Sequence, residues 1–117
     1  MNAQPPDLAS IKGRQIRDWA SSDYAMFGAG LLVISELLCE AVDLRPGQKV
    51  LDVATGSGNT ALAAARRFCE VTGVDYVPAL LERGRERAAA ERCVTDHLIF
   101  SGSARIPQKE DYARPKV

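Results

Sequence analysis

The chain has 117 residues, 46% hydrophobic and 26% charged, a composition typical of one soluble globular domain and not of a disordered or fibrous segment. Fifteen basic residues balance fifteen acidic ones, so no overall field favours nucleic acid or anionic lipid as a partner. The N-terminus lacks a secretory leader pattern, and the most apolar stretch, 25–34, is shorter than the ~20 residues of a membrane span. We therefore expect a cytoplasmic protein without membrane or nucleic-acid contacts.

The cysteines indicate a reduced protein without a metal site. Cys39, Cys69 and Cys93 are odd in number, widely spaced and outside any CxxC pair, which argues against a disulfide framework or structural zinc. We expect each to be a small buried side chain. His97, the only histidine, lies beside a predicted strand and is expected to be structural. We therefore assign no catalytic role to the cysteines or to the histidine.

The hydrophobic pattern predicts seven elements in chain order. They are helices over 11–20 and 29–42, a strand over 49–54, a helix over 60–68, a strand over 70–75, a helix over 78–91 and a strand over 97–100. In the second helix, apolar side chains recur on one face and glutamates lie on the opposite face. The apolar residues are Leu31, Ile34, Leu38 and Ala41, and the glutamates are Glu36 and Glu40. In the last helix, alternating arginines and glutamates predict a solvated, salt-bridged face.

The connections predict the topology of the sheet. Strands separated by helix-length segments lie parallel and are joined by right-handed crossovers, which predicts a doubly wound, Rossmann-like α/β fold. We expect an N-terminal arm with a short helix over 1–20, a ligand-binding half-domain over 21–107 and an irregular tail over 108–117. Three parallel strands by themselves would expose a hydrophobic sheet edge.

A loop with two glycines follows the first predicted strand. It comprises Ala54, Thr55, Gly56, Ser57, Gly58 and Asn59. Ligands of open parallel sheets bind at the carboxyl ends of the strands, where this loop lies. Gly56 and Gly58 allow the backbone to turn sharply and to approach a ligand closely. Asp52, near the end of the first strand, and Asp75, at the end of the second, add two carboxylates to the same rim.

Two kinds of ligand suit this loop. Gly56-x-Gly58-x-x-Ala61, with Asp75 on the ribose, matches the dinucleotide fingerprint. Asp52-x-Ala54-x-Gly56-x-Gly58 instead closely resembles the first motif of class I S-adenosylmethionine (SAM)-dependent methyltransferases. A carboxylate inside the first strand suits the ammonium group of SAM and would repel a pyrophosphate. Asp52 therefore favours SAM over a nicotinamide dinucleotide.

The resemblance extends along most of the chain. DLRPGQ, KVLDVATGSGNTALAAARRF and EVTGVDYVPALLERGRERAAAE are similar to consecutive segments of the small-molecule and quinone-type methyltransferase superfamily. WASSDYAMFGAG resembles the helices that precede the core in many members. Residues 19–107 are covered, most strongly over 44–91. The resemblance implies a SAM-dependent methyltransferase, with SAM as methyl donor and an unidentified, small-molecule acceptor.

The resemblance also implies which residues contact SAM. Gly56 and Gly58, within the Ala54-Thr55-Gly56-Ser57-Gly58 loop, would contact the methionine part through the backbone. Asp52 would contact the amine indirectly, and Asp75 would accept both ribose hydroxyls. Tyr76 would lie against the adenine face.

A later segment and the N-terminal helices are implied to complete the adenine site. Ala104 would offer its backbone to the adenine edge, beside Ser103 where the family usually has aspartate. A serine hydroxyl replaces only part of what a carboxylate offers the adenine amino group. Tyr24 is a weaker candidate to cover the cofactor.

The half of the family's domain that binds the methyl acceptor has no counterpart in this sequence. The resembling fold has a seven-stranded sheet and takes its acceptor contacts mostly from the fourth strand onward. We therefore expect a truncated chain, or one whose sheet edge is covered by a completing partner or a second copy. The alternatives are a non-catalytic SAM-binding remnant or interaction module and, less favoured, an NAD-binding fragment.

Overall fold

The computed structural model describes residues 4–21, 30–91 and 98–102. Within these ranges the elements are α1 (Leu8–Trp19), α2 (Leu32–Ala41), β1 (Lys49–Val53), α3 (Asn59–Ala65), β2 (Glu70–Val74), α4 (Pro78–Ala90) and β3 (Leu98–Ser101). Every predicted helix and strand is present, with ends that differ from the prediction by at most three residues.

The described strands form one parallel sheet in the order β1-β2-β3, which confirms the predicted α/β class. Val53 at the end of β1 lies opposite Val74 at the end of β2. The two segments that leave these strands, beginning at Ala54 and Asp75, therefore start side by side at the carboxyl edge of the sheet.

The core lies between α3 and one face of the sheet. Ala61 to Ala65 are completely buried. Alanine favours the helix, and its small side chain allows α3 to pack closely on the sheet. Leu62 and Val71 are the largest fully buried side chains in this layer. Cys39 and Cys69 are buried free thiols, as predicted. Cys93 and His97 lie outside the described residues.

The ring of Phe100, on β3, fills a slot formed by three glycines. A Cβ atom added to Gly58 would lie 2.7 Å from Cζ of Phe100, and one added to Gly84 would lie 3.0 Å from the same atom. A Cβ atom on Gly73 would lie 3.0 Å from Cδ1 of the ring. Interiors this closely packed tolerate no added methyl group without a shift. Phe100 therefore joins the glycine loop, β2 and α4 in one packed unit.

The orientation of α2 differs from what its amphipathic pattern suggests. An amphipathic helix ordinarily turns its apolar side to the core. Here Glu36 contacts Arg66 and Arg67 at 2.7 Å each, and the hydroxyl of Ser35 lies 3.0 Å from that of Thr60. The two arginines follow directly after α3, so the side of α2 that carries the buried Ser35 and Cys39 faces α3, with Glu36 half-exposed at its margin. The guanidinium groups lower the pKa of Glu36.

Apolar side chains remain exposed on the outer side of α2 and, separately, on β1. On α2, Val33 and Leu37 are each 61% exposed, and Ile34 is 57% exposed. On β1, which ends the described sheet, Leu51 and Val53 are 59% and 69% exposed. We call these five residues the apolar edge. Over the described ranges, no helix combines the length and the hydropathy needed to cross a membrane.

Candidate functional site

The loop between β1 and α3 is held in a strained, left-handed course. Ala54, Gly56 and Gly58 all have positive φ, at 57°, 58° and 90°. The Thr55 N–H donates to the Val74 carbonyl at 3.0 Å, and the Gly58 N–H donates to the Thr55 carbonyl at 2.9 Å. Ala54 adopts a conformation that costs an ordinary residue roughly 1–2 kcal/mol. Such strain persists only where surrounding structure imposes it, and it clusters at binding sites.

The two glycines of the motif have different surroundings. A Cβ atom added to Gly56 would meet no heavy atom within 4 Å, whereas one added to Gly58 would overlap the ring of Phe100. Gly56 therefore borders open space that a ligand can enter. Gly58 serves the packing beneath the loop.

Asp75 connects the loops that follow β1 and β2. Its Oδ2 atom accepts a hydrogen bond from the Gly56 N–H, and its Oδ1 atom accepts one from the Val77 N–H, both at 2.9 Å. Each carboxylate oxygen has a further lone pair, so the group can accept additional hydrogen bonds from a ligand. The structure thus places the predicted ribose-binding carboxylate directly against the predicted glycine loop.

Asp52 lies on the same rim, within electrostatic influence of Asp75. The hydroxyl of Thr55 donates to its Oδ2 atom at 2.6 Å. Burial raises the pKa of Asp52, the nearby charge of Asp75 adds to this, and hydrogen bonds from Thr55 and the Ala61 backbone oppose it. Asp52, in β1, and Asp75, directly after the neighbouring β2, therefore lie at the same edge of the sheet.

The raised pKa of Asp52 predicts a pH-dependent stability. Between the ordinary and the raised pKa, the folded protein retains a proton that the unfolded chain has released, so the free energy of unfolding falls as pH rises through this window. Asp52→Asn cannot ionise and should flatten the decline. Urea unfolding of both proteins across this pH range measures the difference. Equal slopes would show that burial of Asp52 does not control the titration.

A pocket of about 190 Å³ opens at this edge of the sheet. Its lining residues are Trp19, Ala54, Gly56, Asp75, Tyr76 and Leu80. Four of the predicted site residues therefore meet here, while Trp19 and Leu80 were not predicted. Among these lining residues, Asp75 carries the only charge. An apolar pocket with one carboxylate acceptor matches a flat base joined to a sugar diol.

The other predicted residues lie around or beyond this pocket. Asp52 accepts the hydrogen bond from Thr55, Gly58 packs against Phe100, and Ser57 lines a second cavity of about 450 Å³. Ser103, Ala104 and Tyr24 lie outside the described residues.

Arg87 on α4 is a supporting residue that the sequence pattern did not reveal. Its Nη1 atom donates to the Ser57 carbonyl at 2.9 Å and to Oδ1 of Asn59 at 2.6 Å. The predicted solvated face is therefore wrong for Arg87, whose pKa burial lowers. It is right for the exposed ion pair of Arg85 with Glu82. The partners of Arg87 are 28 to 30 positions away, so no local spacing indicates the contact.

Comparison with known sequences gives the family. The methyltransferase-domain family matches residues 50–112. An uncharacterized protein of Mycobacterium bovis is 40% identical over 94 residues, which cover 80% of this chain and 34% of that protein. The 23S rRNA (uracil(1939)-C(5))-methyltransferase RlmD of Klebsiella pneumoniae is 54% identical over 50 residues, 43% of this chain and 12% of the enzyme. The chain spans about a third of the length of the first of these relatives.

Solved structures agree with this assignment. A SAM-dependent methyltransferase from Geobacter sulfurreducens, in complex with S-adenosylhomocysteine (SAH), is 30% identical with a TM-score of 0.53, over 59% of this chain and 28% of that one. Coclaurine N-methyltransferase bound to N-methylheliamine and SAH is 25% identical with a TM-score of 0.55, over 61% and 21%. By its fold and by the family that matches more than half of its length, this chain belongs to the class I SAM-dependent methyltransferases.

Proposed function

We propose that this chain is the SAM-binding part of a methyltransferase that transfers a methyl group to a small-molecule acceptor. The observation that carries the proposal is the Asp75 carboxylate beside Gly56 on the wall of one pocket. The open space at Gly56 fits a ligand that approaches the backbone closely. SAH in the related Geobacter sulfurreducens and coclaurine N-methyltransferase structures supports the same ligand class.

In this proposal each carboxylate has a separate role. Asp75, held by the Gly56 and Val77 N–H groups, accepts the ribose hydroxyls with its remaining lone pairs. Asp52, oriented by Thr55, provides negative charge near the ammonium group. Because both are positioned before the ligand arrives, little ordering is needed on binding.

The neutral parts of the site position the rest of the ligand. Tyr76 faces the adenine base, Gly56 gives room for the methionine part, and Ser103 and Ala104 would meet the adenine edge. Bound SAM supplies a methyl carbon activated by the sulfonium. The protein's contribution is to bind and align the donor, since orientation alone lowers the barrier of a bimolecular transfer.

Calorimetric titration with SAH, SAM and NAD tests the cofactor. We expect one SAH per chain and no heat from NAD, because the partly buried charge of Asp52 beside the loop disfavours a pyrophosphate. NAD binding without SAH binding would replace this proposal with the dinucleotide one. Labelled-methyl transfer tests activity, and SAH binding without transfer to any acceptor would make the chain a non-catalytic binding module.

The proposal of a small acceptor rests on charge. Fifteen basic and fifteen acidic residues leave no excess of cations for a polyanion, and Arg85 and Arg87 are engaged within the fold. The match to the ribosomal RNA enzyme covers only 12% of that enzyme, a share too small to indicate the acceptor. More methyl incorporation into RNA than into small amines and alcohols would contradict the proposal.

We also propose that further strands and helices of a methyltransferase domain cover the apolar edge. The exposed leucines and valines on α2, and those on β1 at the end of the described sheet, are side chains that proteins normally bury or pair. The Mycobacterium bovis relative is about three times as long as the matched region, which leaves room for such segments.

The association state of the 117-residue chain tests whether other segments normally cover the apolar edge. We expect the chain to self-associate without a fixed stoichiometry. The double variant Val33→Lys, Leu37→Lys should reduce this association in light-scattering measurements, because charges on the exposed side of α2 oppose contact between copies. Glu82→Lys, on an exposed position of α4, is the control. A stable two-copy species that the lysines dissociate would identify a second copy as the covering partner instead.

A further inference from the structure

Helix α1 lies against the pocket without contributing to the core. None of its residues is buried. Trp19 nevertheless lines the pocket, and Nζ of Lys12 lies 5.9 Å from the centroid of the Tyr76 ring. Lys12 and Trp19 are two helical turns apart and so share one face of α1. That face of the helix is directed toward the pocket.

Two aromatic side chains from distant parts of the sequence therefore line one cavity. Trp19 is 42% exposed and Tyr76 is 39% exposed, so both rings keep accessible surface beside the cavity. Asp75 precedes Tyr76 directly, and a nucleoside whose ribose bonds Asp75 carries its base into the region these rings border. Aromatic rings bind a base through its π face.

We propose that Trp19 is an adenine-binding residue of the cofactor site, contacting the base that Tyr76 also faces. This inference rests on the proposed SAM binding and adds to it a wall supplied by α1. The nucleoside half of the ligand would make this contact, and the methionine half would not. Helix α1 is then part of the binding site, although it contributes nothing to the packed core.

Fluorescence of Trp19 tests the contact directly, because it is the only tryptophan of the chain. Titration of the full chain with SAH and with adenosine should change the indole emission, saturating at the concentrations that calorimetry gives. Methionine should leave the emission unchanged. SAH binding in the calorimeter without a change in emission would overturn the inference and leave the proposed function intact. Absence of calorimetric SAH binding would instead remove the proposed function itself.

Substitution of the indole gives a second readout. Trp19→Ala should weaken SAH binding by about tenfold, within the range that loss of one base–aromatic stack produces, and Trp19→Phe should restore most of it. The thermal midpoint should change little, since no residue of α1 is fully buried. Leu8→Ala, at the 70% exposed far end of the same helix, should bind SAH like the wild type. Unaltered affinity in Trp19→Ala, or equal loss in Leu8→Ala, would overturn the role of the indole.

Discussion

Gly58→Ala is expected to lower the free energy of unfolding by about 2–5 kcal/mol, the sum of a left-handed backbone penalty and overpacking. The backbone at Gly58 has φ of 90°, and a methyl group there would lie 2.7 Å from Cζ of Phe100. The ring cannot withdraw easily, because Gly73 and Gly84 already enclose it closely. Urea unfolding measures the loss, which is a large part of the ~5–15 kcal/mol stability of a typical domain.

Gly56→Ala is the matched comparison, because the two glycines share the loop and the left-handed conformation but not the packing. With φ of 58° and no heavy atom within 4 Å of an added Cβ, this variant should lose only the left-handed backbone penalty of about 1–2 kcal/mol. Its methyl group lies in the open space beside the pocket, so SAH binding should weaken by about tenfold. If Gly56→Ala proved as destabilising as Gly58→Ala, the division between a ligand-facing and a packing glycine would be wrong.

Asp75→Asn is expected to weaken SAH binding by on the order of 100-fold or more, since hydrogen bonds to a charged group contribute about 1.5–3 kcal/mol each. The amide keeps one acceptor oxygen where the carboxylate has two. Either the Gly56 or the Val77 N–H then faces an NH₂ group and loses its partner. Stability should therefore also fall, by about 1–3 kcal/mol. Calorimetry and urea unfolding measure the two effects.

Two further variants separate charge from geometry at this position. Asp75→Glu keeps both acceptor oxygens and should retain more SAH affinity than Asp75→Asn. Glu82→Gln makes the same change of carboxylate to amide on the exposed surface of α4, where it should alter stability by less than about 0.5 kcal/mol. Wild-type SAH affinity in Asp75→Asn would exclude this carboxylate from the cofactor site.

The sequence was sufficient where local chemistry decides the outcome. Pro46 and Gly47 mark the turn before β1, the alanine-rich run forms α3, and Pro78 begins α4. The pairing of Asp75 with the glycine loop was also predictable. Parallel strands joined by a helix place their carboxyl ends together, so a residue after β2 must lie near the loop after β1.

Contacts between residues distant in sequence were decided by the tertiary structure alone. The amphipathic pattern of α2 does not indicate that Glu36 pairs with Arg66 and Arg67 beside α3. The alternating charges of α4 likewise do not indicate that Arg87 reaches Ser57. The periodicity of the sequence specifies which residues share one face of a helix or strand. Only packing against other helices and strands specifies whether that face points to the core or to solvent. For the same reason, the place of Trp19 beside Tyr76, 57 positions away, appeared only in the folded chain.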